Sequence, residues 1–198
     1  MSKLVFTYGV MGSAKSANLL IQNFELRKNG KKVLLLKPAT DTRDGISIIK
    51  SRIGISAEAV VVAPTESIIQ KYKNGDELFD VIIVDEAQFL TKRQVDELKV
   101  LSVYRNVDVY AYGLKTDFCT NLFAGSKRLL ELASEIREIE KDCAFCERKA
   151  EVNARFDGNG KIVVKGDVVA LGTDNYKAVC FDCYNKLIKS NEESLEKE

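Results

Sequence analysis

Residues 4–16 read Leu-Val-Phe-Thr-Tyr-Gly-Val-Met-Gly-Ser-Ala-Lys-Ser, and the fold follows from this stretch. Leu4–Tyr8 is a short apolar run with strand character, and residues 9–16 follow as a turn. Beyond it Ala17, Leu20, Ile21 and Phe24 recur at i, i+3, i+4 and i+7, which predicts a helix with those four on one apolar face. Asn29-Gly30 predicts its end. Residues 32–37 (KVLLLK) form the next strand, whose continuous apolar centre predicts burial on both faces.

The same alternation continues along the chain. Strands are expected at residues 59–62, 81–85 and 108–114. Helices are expected at 67–72, closed by Asn74-Gly75, at 91–101 with Thr91 as cap, and at 122–133. Strands alternating with helices imply right-handed crossovers and a mainly parallel sheet flanked by helices, an α/β fold. Residues 38–50 are polar and turn-rich and read as a loop able to carry function. After Glu140 the helical period disappears, and Gly158-Asn159-Gly160 marks a hairpin between residues 151–156 and 161–164. The expected organisation is a nucleotide-binding domain over 1–140 and a small β domain over 141–198. The latter's charged tail, from Ser190, is expected to be helical and frayed.

Composition narrows the chemistry. The chain has 198 residues, five cysteines, no histidine and no tryptophan. Lys plus Arg is 30 against 29 for Asp plus Glu, a net charge of +1, which argues against coating nucleic acid or an anionic membrane. Without histidine there is no Ser-His-Asp triad, and a general base at neutral pH has to be something other than imidazole. The N-terminus lacks a signal-peptide pattern and no apolar run approaches the ~20 residues of a membrane span, so a cytoplasmic location is expected.

Gly9-Val10-Met11-Gly12-Ser13-Ala14-Lys15-Ser16 follows a strand and opens a helix, the context a phosphate-binding loop needs, and makes the expected α/β fold one of the P-loop NTPase type. Backbone N–H groups and the helix N-terminus favour a phosphate there. Lys15 would neutralise phosphate oxygens of ATP, and Ser16 would hold Mg²⁺. Ala14 stands where the motif has its second glycine; a β-carbon there is costly only if φ is positive or a phosphate comes very close. Residues 81–86 (VIIVDE) are an apolar strand ending in two carboxylates. Asp85 is placed to associate with Mg²⁺ and Glu86 to take a proton from an attacking hydroxyl. If that hydroxyl is water the protein is an ATPase; if it belongs to a small molecule, a kinase.

Cys143-x-x-Cys146 and Cys180-x-x-Cys183 are separated by 33 residues. Random placement of five cysteines gives roughly 0.1 such pairs, so two point to a four-thiolate structural zinc site. Redox pairs or plain buried thiols are the other reading. Cys119 is left over.

These residues together resemble the zinc-containing, type II thymidine kinases, from Leu4 to about Leu187. The most specific block is Asp85-Glu86-Ala87-Gln88-Phe89, similar to that family's D-E-A-Q-F. The resemblance implies that Glu86 accepts the proton of the thymidine 5′-hydroxyl and that Ala87 and Gln88 lie with the ATP-binding set. Asp41-Thr42-Arg43 resembles the segment that places an Asp and an Arg near sugar and phosphates, here Asp41 and Arg43. Residues 113–118 (GLKTDF) resemble the segment whose Phe lines the thymidine pocket, here Phe118. Phe89 is a further aromatic able to flank the base, although each aromatic taken alone also suits a core. The resemblance further implies that the four paired cysteines hold structural Zn²⁺. It implies a lasso loop over the base, at Val168, Val169, Ala170, Leu171 and Gly172 followed by Tyr176, with Leu171 where the family has its first glycine. Partners implied are ATP, thymidine with deoxyuridine as the related alternative, and three further copies in a homotetramer. Two other readings stay open on the residues: a zinc-ribbon P-loop ATPase acting on nucleic acid, and a nucleotide-binding protein whose turnover Ala14 impairs.

Overall fold

Strands β1 (Leu4–Tyr8) and β2 (Val33–Pro38) are buried along almost their whole length, as their unbroken apolar runs require. In the computed structural model, which describes residues 2–41, 45–73, 78–166 and 175–195, they belong to a six-stranded sheet. Its other members are β5 (Val60–Val62), β6 (Val81–Val84), β7 (Asp108–Gly113) and β8 (Glu135–Glu138), in the order β5-β2-β6-β7-β1-β8. Every neighbouring pair in it is parallel.

The period-2 alternation of side chains divides the core into two layers. Leu34 and Leu36 of β2 face the same way as Ile82 and Val84 of β6. They pack with Val95, Leu98 and Leu101 of α3 (Lys92–Arg105) and Leu129 of α4 (Ala124–Leu132). Val33, Leu35, Val81 and Ile83 face the other way, onto Leu19 and Leu20 of α1 (Lys15–Lys28). A short α2 (Ile68–Tyr72) lies where the sequence predicts a helix, and at its start the Ser67 hydroxyl accepts from the Gln70 N–H. Thr91 and Gln94 close a reciprocal capping box at the start of α3.

Three expectations need correcting. The buried face of α1 is formed by Ala17, Leu19, Leu20 and Asn23, whereas Ile21 and Phe24 are 47% and 66% exposed. Periodicity identified a face but could not say which side of the helix the sheet would occupy. Residues 38–50 are not all loop: β3 (Ile48–Lys50) pairs antiparallel with β4 (Ser56–Glu58). Strand β8 was not foreseen, because Glu135-Ile-Arg-Glu138 is an edge strand with a mostly solvated, charged surface. Residues 190–195 are helical, the end of α5 (Phe181–Leu195). Asn74 and Gly75 lie outside the described residues.

The cysteine-bearing part is a three-stranded antiparallel sheet, β10-β9-β11, made of β9 (Val152–Phe156), β10 (Ile162–Val163) and β11 (Asn175–Val179), with α5 following Cys180. The hairpin predicted at residues 158–160 joins β9 to β10.

One close approach positions the site. At the start of α4, a β-carbon on Gly125 would stand 2.5 Å from the Ala87 carbonyl oxygen and 2.8 Å from those of Gln88 and Leu90. Helix propensity alone favours alanine by about 1 kcal/mol. The clash outweighs it, so Gly125→Ala is expected to lower unfolding stability by about 1–3 kcal/mol in a urea titration.

Candidate active site

The turn after β1 and the end of β6 meet at the carboxyl ends of the strands, where parallel sheets bind ligands. There a cavity of about 700 Å³ is lined by residues 11–17, Lys37, Asp41, residues 48–54, Asp85, Glu86 and Leu114. The phosphate-loop candidates therefore share one space with both carboxylates.

The loop has two left-handed residues, Gly12 at φ +71° and Ala14 at φ +62°. Ala14 thus occupies the conformation in which its β-carbon is costly, and it does so as the residue preceding α1. Gly9 has no room for a side chain: a β-carbon would stand 2.5 Å from Ser13 Oγ and 2.7 Å from the Ile139 carbonyl oxygen. Ser13 Oγ is buried without a hydrogen-bond partner in the protein. A stranded hydroxyl costs about 1–3 kcal/mol unless a ligand or water meets it. Lys15 Nζ donates to the carbonyls of Gly9 (3.0 Å) and Val10 (2.9 Å), so its ammonium is held inside the loop.

Ser16 Oγ donates to Asp85 Oδ2 at 3.1 Å, bringing the first turn of α1 onto the end of β6. Burial, and then the charge of neighbouring Glu86, push the Asp85 carboxyl up to about 7, against the pull of its hydrogen bonds and of Lys15. Glu86 itself has φ +48°, a left-handed strain of a kind that concentrates at functional sites. The Gln88 amide clamps it: Nε2 donates to Glu86 Oε2, and Oε1 accepts from the Leu114 N–H at 3.0 Å. The Ala87 side chain is in the core, and neither Ala87 nor Gln88 lines the cavity.

Asp41 is buried and paired with Lys37 Nζ at 3.3 Å, and Lys37 also donates to the Gly45 and Ile48 carbonyls. Sequence reasoning missed Lys37; its signal was a lysine inside an otherwise apolar, fully buried strand. Arg43 lies outside the described residues, as do Val168, Val169, Ala170, Leu171 and Gly172. Phe89 meets Phe123 edge-on at 5.6 Å. Phe118 is fully buried, with the Arg155 guanidinium 5.1 Å from its ring and Tyr184 Oη donating to its carbonyl at 3.0 Å. Tyr176 is half-buried on β11, opposite Arg155.

The sulfurs of Cys143, Cys146, Cys180 and Cys183 all lie within 4.8 Å of one another. Cys146 Sγ is 3.6 Å from Cys180 Sγ and 3.8 Å from Cys183 Sγ. Zinc–sulfur bonds of about 2.3 Å in a tetrahedron put sulfurs about 3.8 Å apart, so the cluster fits zinc. Backbone N–H groups of Phe145 and Cys183 point at Cys143 Sγ and Cys180 Sγ, respectively, which suits thiolate ligands.

The cysteine-bearing unit touches the phosphate loop directly. Asn153 of β9 is buried; its Oδ1 accepts from the Met11 N–H at 2.7 Å, and its Nδ2 donates to the Thr116 carbonyl at 3.4 Å. Val10 packs with Ala150 and Ala178. Nothing in the spacing of the sequence marked Asn153.

Comparison with known proteins gives the same picture. A family model described as thymidine kinase matches residues 2–184. The thymidine kinase of Enterobacteria phage T4 is 41% identical over 191 residues, covering 96% of this chain and 98% of its own. Those of Encephalitozoon cuniculi and Legionella pneumophila are each 39% identical, covering 96% and 91% of this chain and 90% and 88% of their own. Among solved structures, the Pif1 helicase of Candida albicans overlaps 70% of this chain and 36% of its own at 17% identity and a TM-score of 0.43, too low to bear on the reading.

Two outcomes follow from the strained and buried groups. Ala14→Gly relieves a left-handed alanine but makes the unfolded chain freer, so stability is expected to rise by up to ~1 kcal/mol in chemical denaturation. Asp85 has a folded pKa above its unfolded value, so the folded state holds the proton more tightly. Without Mg²⁺, its contribution to stability falls as pH rises from about 4 to about 7 and then levels off. Asp85→Asn should therefore melt higher than the parent at pH 8, with the gap closing toward pH 4.

Proposed function

This chain belongs to the thymidine kinase family, and from that premise we infer that it is a thymidine kinase, an enzyme that phosphorylates thymidine. We propose that ATP is the donor and the 5′-hydroxyl of thymidine the acceptor. The observation that carries this assignment is the single cavity in which Lys15, Ser16, Asp85 and Glu86 meet.

In this reading residues 1–140 bind nucleotide, and residues 141–198 form the zinc-held lid. Backbone N–H groups of the phosphate loop hold the phosphates of ATP. Ser13 Oγ, stranded in the protein alone, is one donor available to them. Lys15, which in the protein alone donates to the Gly9 and Val10 carbonyls, turns to reach the phosphate oxygens. Ser16 and Asp85 are the oxygen donors that would hold Mg²⁺; their contact at 3.1 Å, which brings two oxygen ligands together, supports that pairing. When bound, Mg²⁺ supplies charge neutralisation of the phosphates. Glu86, held by Gln88, takes the proton of the 5′-hydroxyl as its oxygen attacks phosphorus. Asp41 and Arg43 hold the sugar side, and Phe89, Phe118, Tyr176 and the lasso at Val169, Ala170, Leu171 and Gly172 surround the base. Ala14 is no obstacle in this reading, because the loop makes its left-handed turn with alanine in place.

Zn²⁺ on Cys143, Cys146, Cys180 and Cys183 would tie β9, β11 and α5 together. Through Asn153 and Tyr184 that unit braces both the phosphate loop and the Phe118 segment. A homotetramer is part of the same proposal; Ile21 and Phe24 on α1, and Val103 and Tyr104 on α3, are exposed apolar side chains available for subunit contact. So is a cytoplasmic location; among the described residues no helix is long and apolar enough to cross a membrane.

The test is a nucleoside panel with Mg²⁺ and ATP, with zinc measured on the same preparation. ADP and thymidine monophosphate should form with thymidine and be absent without a nucleoside; the deoxyuridine arm reads how strictly the 5-methyl group is required. No turnover by folded, zinc-loaded protein would sink the assignment. Glu86→Gln is expected to keep nucleotide binding and lose at least ~10²-fold in kcat. A near-normal kcat would remove Glu86 from the role.

A further inference from the structure

The β3–β4 hairpin projects one arginine at the phosphate loop. Its turn is built from Ser51, Arg52, Ile53 and Gly54: the Gly54 N–H donates to the Ser51 carbonyl at 3.1 Å, and Gly54 has φ +90°. The Ser51 N–H and hydroxyl both donate to the Ile55 carbonyl, at 2.9 and 3.2 Å. This is a tight turn closed by a left-handed glycine, a common hairpin end. It is anchored from beneath. Ile49 is buried with Leu19 and Leu20 of α1, Ser51 is buried, and Lys37 Nζ holds the Ile48 carbonyl at 2.9 Å.

The anchoring leaves Arg52 exposed at the tip and lining the same cavity as Lys15, Ser16, Asp85 and Glu86. One of its terminal nitrogens, Nη1, lies 3.5 Å from where a β-carbon on Gly12 would stand. The other cations around the loop are engaged. Lys15 donates to loop carbonyls, Lys37 to Asp41 and two carbonyls, and Lys141 Nζ to the Met11 carbonyl at 3.4 Å. Lys50 also lines the cavity, but it lies on the exposed face of β3, two residues short of the tip. Among the described residues, Arg52 makes no ion pair or hydrogen bond through its guanidinium.

We propose that Arg52 is a further catalytic residue, an arginine supplied in cis whose guanidinium contacts the γ-phosphoryl group of ATP during transfer. This rests on the phosphoryl-transfer reading above. In the step, the bond from the γ-phosphorus to the β-bridging oxygen breaks as the bond from the nucleoside O5′ forms. The hydroxyl proton goes to Glu86, and ADP leaves with the bridging electrons. Arg52 is unchanged; its planar fork of N–H donors matches the equatorial oxygens on which negative charge is spread. A lysine offers a point charge without that geometry. Arg52 and the Asp85-Glu86 pair line one cavity, so the γ-phosphoryl group would be held there by both.

The experiment compares Arg52→Ala and Arg52→Lys with the parent in the full-length, zinc-loaded protein. Because the side chain is exposed at a turn, both variants should melt with the parent. The expected result is a kcat lower by roughly 10³-fold in Arg52→Ala, the low end of what such arginines contribute. ADP affinity should stay within threefold, and the preference for a non-hydrolysable ATP analogue over ADP should be lost. Guanidinium ion should restore part of the Arg52→Ala rate, and Arg52→Lys should fall between. A kcat within threefold of the parent, or equal weakening of ADP and the triphosphate analogue, would overturn the proposal. If the parent turns over no nucleoside, the binding comparison still decides whether Arg52 meets the third phosphate, independently of the acceptor.

Discussion

Asp85 is a carboxylate buried at the end of a fully buried strand, and the site is organised around the cost of holding it there. A charge in that position needs partners. Ser16 provides a hydrogen bond and Lys15 an opposing charge, and both come from the first turn of α1. Satisfying Asp85 therefore places the phosphate loop against β6. The same strand end carries Glu86, whose proximity makes the problem worse by like-charge repulsion. Two carboxylates forced together beside a lysine and a serine are poorly balanced alone and well balanced by a cation with phosphates. The empty-handed Ser13 hydroxyl says the same thing from the loop side.

A second constraint is crowding behind Glu86. Gly113 and Gly125 both approach the turn that follows it so closely that no side chain fits. A β-carbon on Gly113 would stand 2.6 Å from Gln88 Oε1, and one on Gly125 would stand 2.5 Å from the Ala87 carbonyl. β7 and α4 thus press the turn into shape, and the Gln88 amide transmits that shape to the Glu86 carboxylate. The left-handed backbone at Glu86 persists because its surroundings over-determine it.

The cysteine-bearing unit is less separate than a boundary near residue 140 suggests. Asn153 takes the Met11 N–H, Val10 packs against Ala150 and Ala178, and Tyr184 and Arg155 hold the Phe118 segment. A buried asparagine that bridges two loops resists movement of either, because breaking one bond strands a buried polar group. Order imposed on the four sulfurs thereby reaches the phosphate loop and the Phe118 segment together.

Much of this was legible in the chain because the signals are local. A strand, a glycine-containing turn and a Lys-Ser pair at 4–16, an apolar strand ending in Asp85-Glu86, and two C-x-x-C pairs each report chemistry through neighbouring residues. The parallel sheet, the cavity wall formed by residues 12–16 and the four-sulfur cluster all follow from them. The sequence was silent or misleading where the deciding contact is distant. It placed the face of α1 only half correctly: Ala17 and Leu20 are buried, whereas Ile21 and Phe24 satisfy the same period and are exposed. It hid β8, a charged edge strand, and the β3–β4 hairpin inside a polar stretch. It suggested that Ala14 would cost something only under a condition, and only the folded backbone supplied the left-handed φ that meets it. Residue types and spacing determined which chemistry is present. The tertiary structure decided which cations line the cavity, which amide holds Glu86 and which asparagine braces the loop. Those choices depend on contacts such as Gln88 to Leu114, 26 positions apart, and Met11 to Asn153, 142 apart, which no local pattern encodes.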